Sequence, residues 1–302
     1  MVSSVVVLCC GDQAVDVGEE VVLGSRRWSA ERLMPSPSKK TSRISRLRED
    51  FNKLIDTKHP EQIYQTFLEE NSELIPREFV LNHGINLDLV LRKVTLAKDY
   101  TPDFMYLSKS SGEWNCVLIE LEKPHSRLFK PDSTALHGDF KFALEQINDW
   151  RAWLQNPSNH AGFVDGTLGL LRIPSILSKN PVHIKYVLVI GRRSEVENNE
   201  PRRRKRSALQ QGDFRILSYD SLLEGLRNRR ALYVGVRHND HIEIVSNRFV
   251  GESLFSLIAP ENLRIRKALR DDALACRKQW YMLTPKGKPL MEKKLPQVPL
   301  KG

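Results

Sequence analysis

Three carboxylates fall on two short stretches that read as the arms of one β-hairpin. Tyr100-Thr101-Pro102-Asp103-Phe104 and Val117-Leu118-Ile119-Glu120-Leu121-Glu122-Lys123-Pro124 flank Lys109-Ser110-Ser111-Gly112-Glu113-Trp114. The intervening piece is polar and contains a glycine, which is turn chemistry. A hairpin symmetric about Ser111-Gly112 puts Asp103 opposite Glu120. Side chains alternate along a strand, so Glu120 and Glu122 then share one face with Asp103. Met105, Leu107, Cys116 and Leu118 on that face are apolar. Acids at the end of a greasy strand pair are costly unless they are paired or bind a cation. An all-oxygen set of this kind suits a hard divalent metal.

Phosphodiester hydrolysis needs a nucleophilic water, neutralised charge on the phosphate and a stabilised leaving oxygen. Divalent metals held by carboxylates supply all three. Mg2+ takes only one or two protein carboxylates and completes its shell with waters and substrate oxygens. Asp103 and Glu120 are therefore the candidate metal ligands, and Glu122 either holds a second metal or orients the attacking water. Each acid also has a plainer reading. Asp103 is then an edge acid after Pro102, and Glu122 marks the exit of the strand into solvent before Lys123-Pro124.

The elements that must position these acids can be placed from periodicity. Ile44, Leu47, Phe51, Leu54 and Ile55 predict a helix over 42–57, and Pro60 opens a second over 61–71. Ile85, Leu87, Leu89 and Leu91 alternate as in a half-buried strand. A helix over 138–155 follows the hairpin, with Phe142, Ala143, Ile147, Trp150 and Leu154 as its apolar face; 157–181 reads as irregular. The apolar run 185–190, ended by Gly191, suits a fully buried strand. Beyond it come a charged, partly helical segment through Arg206, a strand over 214–219, and Asp220 as cap of a helix over 222–226. Residues 231–258 look β-rich, with a turn at His238-Asn239-Asp240, and a basic helix and Pro/Lys-rich tail follow Pro260. At the other end, 1–11 reads as a short strand and 25–42 as a linker. The order describes a mixed sheet with helices packed on it.

Composition fits a globular protein: 302 residues, 40% hydrophobic and 28% charged. Cys9, Cys10, Cys116 and Cys276 show neither metal nor disulfide spacing and read as reduced thiols. The apolar start lacks a basic leader and is too short to span a bilayer, so no membrane association and a cytoplasmic location are expected. The net charge of +10 is uneven: ten Lys/Arg against four acids in 25–58, and eleven against four in 261–302. Such flanks hold a polyanion or are simply solvated tails.

The order helix, Asp, sixteen residues, Glu-x-Glu, helix resembles the PD-(D/E)XK nuclease superfamily, in which the third hairpin position is usually lysine. Here it is Glu122. Lys123 falls on the opposite face of a regular strand, and Lys141 on the next helix is the candidate substitute. Further segments sit around the acids: Phe67-Leu68-Glu69-Glu70-Asn71, Leu128-Phe129 and Ala143-x-x-Gln146-x-x-x-Trp150-Arg151-x-Trp153. Val189-Ile190-Gly191-Arg192-Arg193 and Ile216-Leu217-Ser218-Tyr219-Asp220 complete the set. In order and spacing they resemble the nuclease domain of Shedu proteins, a family of bacterial anti-phage proteins, over about residues 60–225.

That resemblance implies an α/β fold, a restriction-endonuclease-like mixed β-sheet flanked by helices. Extra segments lie on either side, giving 1–58 as extension and linker, 59–230 as nuclease domain and 231–302 as β-rich segment with basic tail. It implies cleavage of DNA with Mg2+, Mn2+ being a substitute, in anti-phage defence, by a homo-oligomer with no small-molecule cofactor. It also gives Gln146, one turn before Trp150, a role: contacting a phosphate, or orienting Glu122 or a metal-bound water. Glu61 on the preceding helix is a further acid within conceivable reach. Trp150 and Trp153 read as packing residues, Arg192 and Arg193 as phosphate contacts or a structural ion pair, Arg202–Arg206 as a solvated face. His125 and His137 read as loop residues without a ligand role. The alternative function is a non-catalytic nucleic-acid-binding or sensing module on the same fold.

Overall fold

Leu47, Phe51 and Ile55 recur every four residues and are buried, which gives α1 (Pro37–Asp56) one apolar stripe. A computed structural model describes residues 37–246 apart from Asp99, Arg172, Pro174 and Gln211, together with Ile258 and residues 262–266. The chain divides into two units, Met1–Lys40 and Thr41–Gly302, and the sheet and site belong to the second. Helix α1 begins at Pro37, inside the segment expected to be linker, because proline is tolerated in a first helical turn. The rest of that linker, the expected strand over 1–11, most of the basic tail and Cys9, Cys10 and Cys276 lie outside the described residues.

After α1 come α2 (Glu61–Glu70), β1 (Ile85–Arg92), β2 (Phe104–Lys109) and β3 (Trp114–Leu121). The helix predicted over 138–155 is α3 (Gly138–Gln155). Its apolar face needs one correction: Phe140 is buried, whereas Phe142 is 69% exposed. Phe142 lies on the flank of the helix, too far from the Ala143–Ile147–Trp150 stripe to reach the sheet.

Segment 157–181 is not irregular; it holds α4 (Pro157–Leu168) and α5 (Ser175–Ser178). Asn156 caps α4 by accepting from the Ser158 N–H at 2.9 Å. Gly162 and Gly166 hide this helix from periodicity, and only Phe163 and Thr167 on it are buried. Then follow β4 (Val182–Val189), α6 (Ser194–Glu197), α7 (Glu200–Leu209), β5 (Phe214–Leu217), β6 (Tyr233–Arg237), β7 (Ile242–Ser246) and β8 (Leu263–Ile265). Asp220 is the second residue of a 3-10 turn over Tyr219–Leu223 rather than the cap of a helix at 222–226. After Pro260 the described residues hold β8, and the basic helix expected there lies outside the described residues. The turn at His238–Asp240 forms as expected, closed by the His238 N–H donating to the His241 carbonyl at 2.8 Å.

The eight strands form one mixed sheet in the order β5-β4-β3-β2-β1-β6-β7-β8. Strands β1, β2 and β3 are antiparallel neighbours; β4 joins β3, and β6 joins β1, in parallel. Central strands are covered on both faces. On one face Leu89, Leu91, Met105, Leu107, Cys116 and Leu118 pack with Ala143, Ile147, Trp150 and Phe163 from α3 and α4. On the other, Val90, Phe104, Tyr106, Val117 and Ile119 meet Leu47, Phe51, Tyr64 and Leu68 from α1 and α2. Strand β1 is thus buried on both sides from Leu89 to Leu91, not half-buried. An irregularity between Ile85 and Val90, with Asp88 at φ 50°, breaks the simple alternation there.

Candidate active site

Hairpin register decides where the acids go. Phe104 pairs with Ile119 and Met105 with Leu118, so Asp103, just before β2, follows the register toward Glu120. This is the symmetric hairpin expected about Ser111-Gly112. Asp103 is 1% exposed and Glu120 7%. Asp103 Oδ2 accepts from the Leu121 N–H at 2.7 Å, which locks the carboxylate to the neighbouring strand. Its Oδ1 accepts from Lys93 Nζ, and the Lys93 N–H donates to the Asp103 carbonyl at 2.9 Å.

Glu120 is held from α3. Gln146 Nε2, on α3, donates to Glu120 Oε1 at 2.7 Å. The amide therefore positions Glu120, not Glu122. The second oxygen, Oε2, is buried and has no hydrogen-bond partner. Glu122 lies half-buried beyond the end of β3, and its Oε2 accepts from Ser126 Oγ at 3.3 Å. Its backbone is fixed by Tyr219, whose Oη donates to the Glu122 carbonyl at 2.5 Å.

The acids raise one another. Burial pushes Glu120 well above the ordinary carboxylate range, and Asp103, Glu61 and Glu122 add to this against the pull of Lys93. Burial also raises Asp103, with Lys93 and the Leu121 amide opposing. Glu122 is pushed up to about 7, by burial first and by Glu61 next. Glu61, the first residue of α2, is raised by burial and then by Asp103. Glu61 thus adds its charge to the field felt by the other three acids.

These shifts have a measurable sign. A carboxyl held above its unfolded value keeps its proton in the fold after the unfolded chain has lost it. The corresponding stability is complete below 4.5 and is lost as pH rises through the folded value, about 7 for Glu122. The unfolding temperature of metal-free protein is expected to fall over that window. Glu122→Gln should flatten the fall in calorimetric scans; an unchanged slope would show that Glu122 carries none of it.

Lys93 is the site residue that sequence reasoning missed. It follows β1 in the left-handed region, at φ 46°, a conformation that costs a non-glycine residue about 1–3 kcal/mol. Its partner is ten residues away, across the β1–β2 turn. The one usable signal was Arg92-Lys93 closing an apolar strand that pairs with the Asp103 strand. Lys123 and Lys141, weighed as the site lysine, are both exposed.

Arg192 and Arg193 form the structural pair. Arg192 bridges Asp56 at 2.6 Å and Asp220 at 3.0 Å, and the Arg193 N–H donates to Asp220 at 2.7 Å. The Arg202–Arg206 run is only partly solvated. Arg202 donates to the carbonyls of Ser133 (2.9 Å) and Lys130 (2.8 Å), and Arg206 to that of Ile216 (2.6 Å). His137 caps α3, its Nδ1 accepting from the Asp139 N–H at 3.2 Å, and His125 Nε2 lies 3.1 Å from Tyr64 Oη. Trp150 is core, and Trp153 packs against the same cluster.

The family model for the C-terminal part of Shedu protein SduA matches residues 58–223, more than half of the chain. The chain belongs to the Shedu family. The matched Shedu segment contains Glu61, Lys93, Asp103, Glu120, Glu122 and Gln146, all the residues that build the acidic cluster. Membership of the Shedu family implies a role in anti-phage defence. No curated protein matches the chain. Among the described residues no helix is long and apolar enough to cross a membrane.

Proposed function

We propose that this Shedu protein is a metal-dependent nuclease that hydrolyses DNA phosphodiester bonds in the cytoplasm, on a PD-(D/E)XK-type arrangement of its mixed sheet. The observation that carries the reading is Glu120 Oε2, a buried and unpartnered carboxylate oxygen on the strand beside the buried Asp103. A buried polar atom without a partner is uncommon and asks for one.

The residues fit Mg2+ better than a transition metal. The donors are carboxylate oxygens, which are hard ligands. Among the described residues no three His, Cys, Asp or Glu side chains converge as a ready-made cage. Mg2+ does not require one, because one or two carboxylates suffice alongside waters and substrate phosphate. Asp103 and Glu120 would hold the ion, and Mn2+ could replace it. Bound there, a divalent cation would supply Lewis acidity to the phosphate and lower the pKa of a water.

The chain's own groups do the remaining work. Leu121 N–H and Gln146 fix Asp103 and Glu120 in place. Glu122, at the more open rim and titrating near 7, is matched to accept a proton from the attacking water at neutral pH. Ser126 orients it. This favours water activation over a second metal as the role of Glu122.

The test is incubation of purified protein with linear and circular DNA, with and without Mg2+ or Mn2+. Cleavage should require the metal and disappear in the Asp103→Ala, Glu120→Ala double variant. Cleavage that survives the double substitution would sink the assignment. Glu122 in the usual lysine position favours a second reading, a DNA-binding module without turnover. That reading predicts salt-dependent binding indifferent to metal and to Glu122→Gln, and metal-dependent turnover would exclude it.

A further inference from the structure

We propose that Lys93 is the phosphate-facing cation of this site, reaching from the end of β1 to the place a lysine at the third hairpin position would serve from β3. The inference rests on the nuclease reading and adds to it the group that meets the substrate's charge. Among the described residues Asp103 has one cationic partner, Lys93, while Glu61, Glu120 and Glu122 form no ion pair. Lys123 and Lys141 are exposed, as Lys93 itself is, but neither makes an ion pair with the acids among the described residues, so the pairing with Asp103 is what singles out Lys93.

The position of Lys93 suits a substrate contact. Its side chain is 42% exposed, whereas that of Asp103 is 2% exposed. The ammonium therefore sits on the boundary between the buried acids and solvent, where a phosphate has to arrive. It has three N–H donors and gives one to Asp103, leaving two for a second acceptor.

The backbone points the same way. A residue at φ 46° would be easier as glycine or asparagine, and the position is pinned by the Lys93 N–H to the Asp103 carbonyl. A strained lysine beside a buried carboxylate is accounted for if the ammonium itself is needed there. The simpler account is that Lys93 only neutralises Asp103. The two differ once a cation occupies the site, because neutralisation is then redundant and phosphate contact is not. A positive group on a non-bridging phosphate oxygen stabilises the charge that builds in the transition state.

The experiment compares wild type with Lys93→Met, which keeps length and loses charge, and with Lys93→Arg. Mn2+ is titrated into DNA-free protein, and single-turnover cleavage of linear duplex is followed at saturating Mg2+. Thermal melts confirm folding. Lys93→Met is expected to bind Mn2+ several-fold more tightly, since no ammonium competes for Asp103 Oδ1. It should nevertheless cleave about 10²–10³-fold more slowly, with part of the rate recovered in Lys93→Arg. A Lys93→Met rate within about threefold of wild type at saturating metal overturns the proposal, as does unchanged or weaker Mn2+ binding by the folded variant. If Lys93→Met does not fold, Lys93→Gln takes its place and is read by the same rate and Mn2+ criteria. Wild-type protein that cleaves nothing in either metal removes the nuclease reading itself, an outcome distinct from all of these.

Discussion

Glu120→Gln is expected to abolish metal-dependent DNA cleavage and, in the same protein, to raise the unfolding temperature. The substitution keeps the shape of the side chain and an oxygen acceptor for Gln146, removes the charge, and puts an amide NH2 where the second oxygen was. With one of two ligating carboxylates gone, a loss of about 10³-fold or more in rate is the scale to expect from a site that depends on the ion. Stability moves the other way. Glu120 is 7% exposed, its Oε2 has no partner, and burial together with Asp103, Glu61 and Glu122 disfavours its charged form. Replacing an uncompensated buried charge by a neutral isostere stabilises by about 1–2 kcal/mol, which is about 2–6 °C for a domain of this size. Single-turnover cleavage and metal-free melts at pH 8 check the two arms. A lowered melting temperature would show that Glu120 is already compensated in the free protein, and the argument for a cation would lose its main support. Gain of stability with loss of cleavage is the combination expected where catalytic groups are buried.

Trp150→Ala should cost about 3–5 kcal/mol, enough to remove a large part of the fold's stability. Trp150 is fully buried under α3, one turn beyond Gln146, in the cluster with Cys116, Leu118 and Ile147. Its truncation leaves a cavity directly behind the residue that holds Glu120. Urea denaturation should show the loss as a lower midpoint. Trp150→Phe should cost under about 1.5 kcal/mol, since the shape is largely kept and the indole N–H has no partner to lose. If Trp150 were instead a base-stacking platform, the alanine variant would keep its midpoint and lose DNA affinity, the reverse of this expectation.

Much of the hairpin was legible because strand alternation and turn composition are local rules. Asp103 opposite Glu120 follows from counting outward from Ser111-Gly112, and the register agrees. α3 is legible because its apolar stripe is periodic, although Phe142 reads as part of the stripe in place of Phe140 and His137 reads as a loop residue, not as the cap it is. What stayed hidden depends on tertiary proximity. Gln146 could be assigned a polar role, but whether its amide would meet Glu120 or Glu122 depends on how α3 lies across the strands. Lys93 was invisible because no local pattern links it to Asp103; their pairing exists only once β1 and β2 are side by side. α4 was missed for a different reason: two glycines and few buried residues leave little helical period to read.

The parallel partnership of β1 with β6 means that the family match and the folding unit end in different places. The match stops at residue 223, before β6, yet Leu89–Arg92 form their ladder with Tyr233–Val236. Gly235 lies close against Leu89 and Leu91, where a side chain would crowd both. Ser72 Oγ ties the approach to β6 by donating to the Leu232 carbonyl and accepting its N–H, both at 2.7 Å. A piece cut to the matched boundaries would leave β1 as an open rim of unpaired amides, the kind of surface that recruits a second sheet. Strand β6 in this sense seals β1: it keeps the strand that leads to Lys93 from binding its own kind.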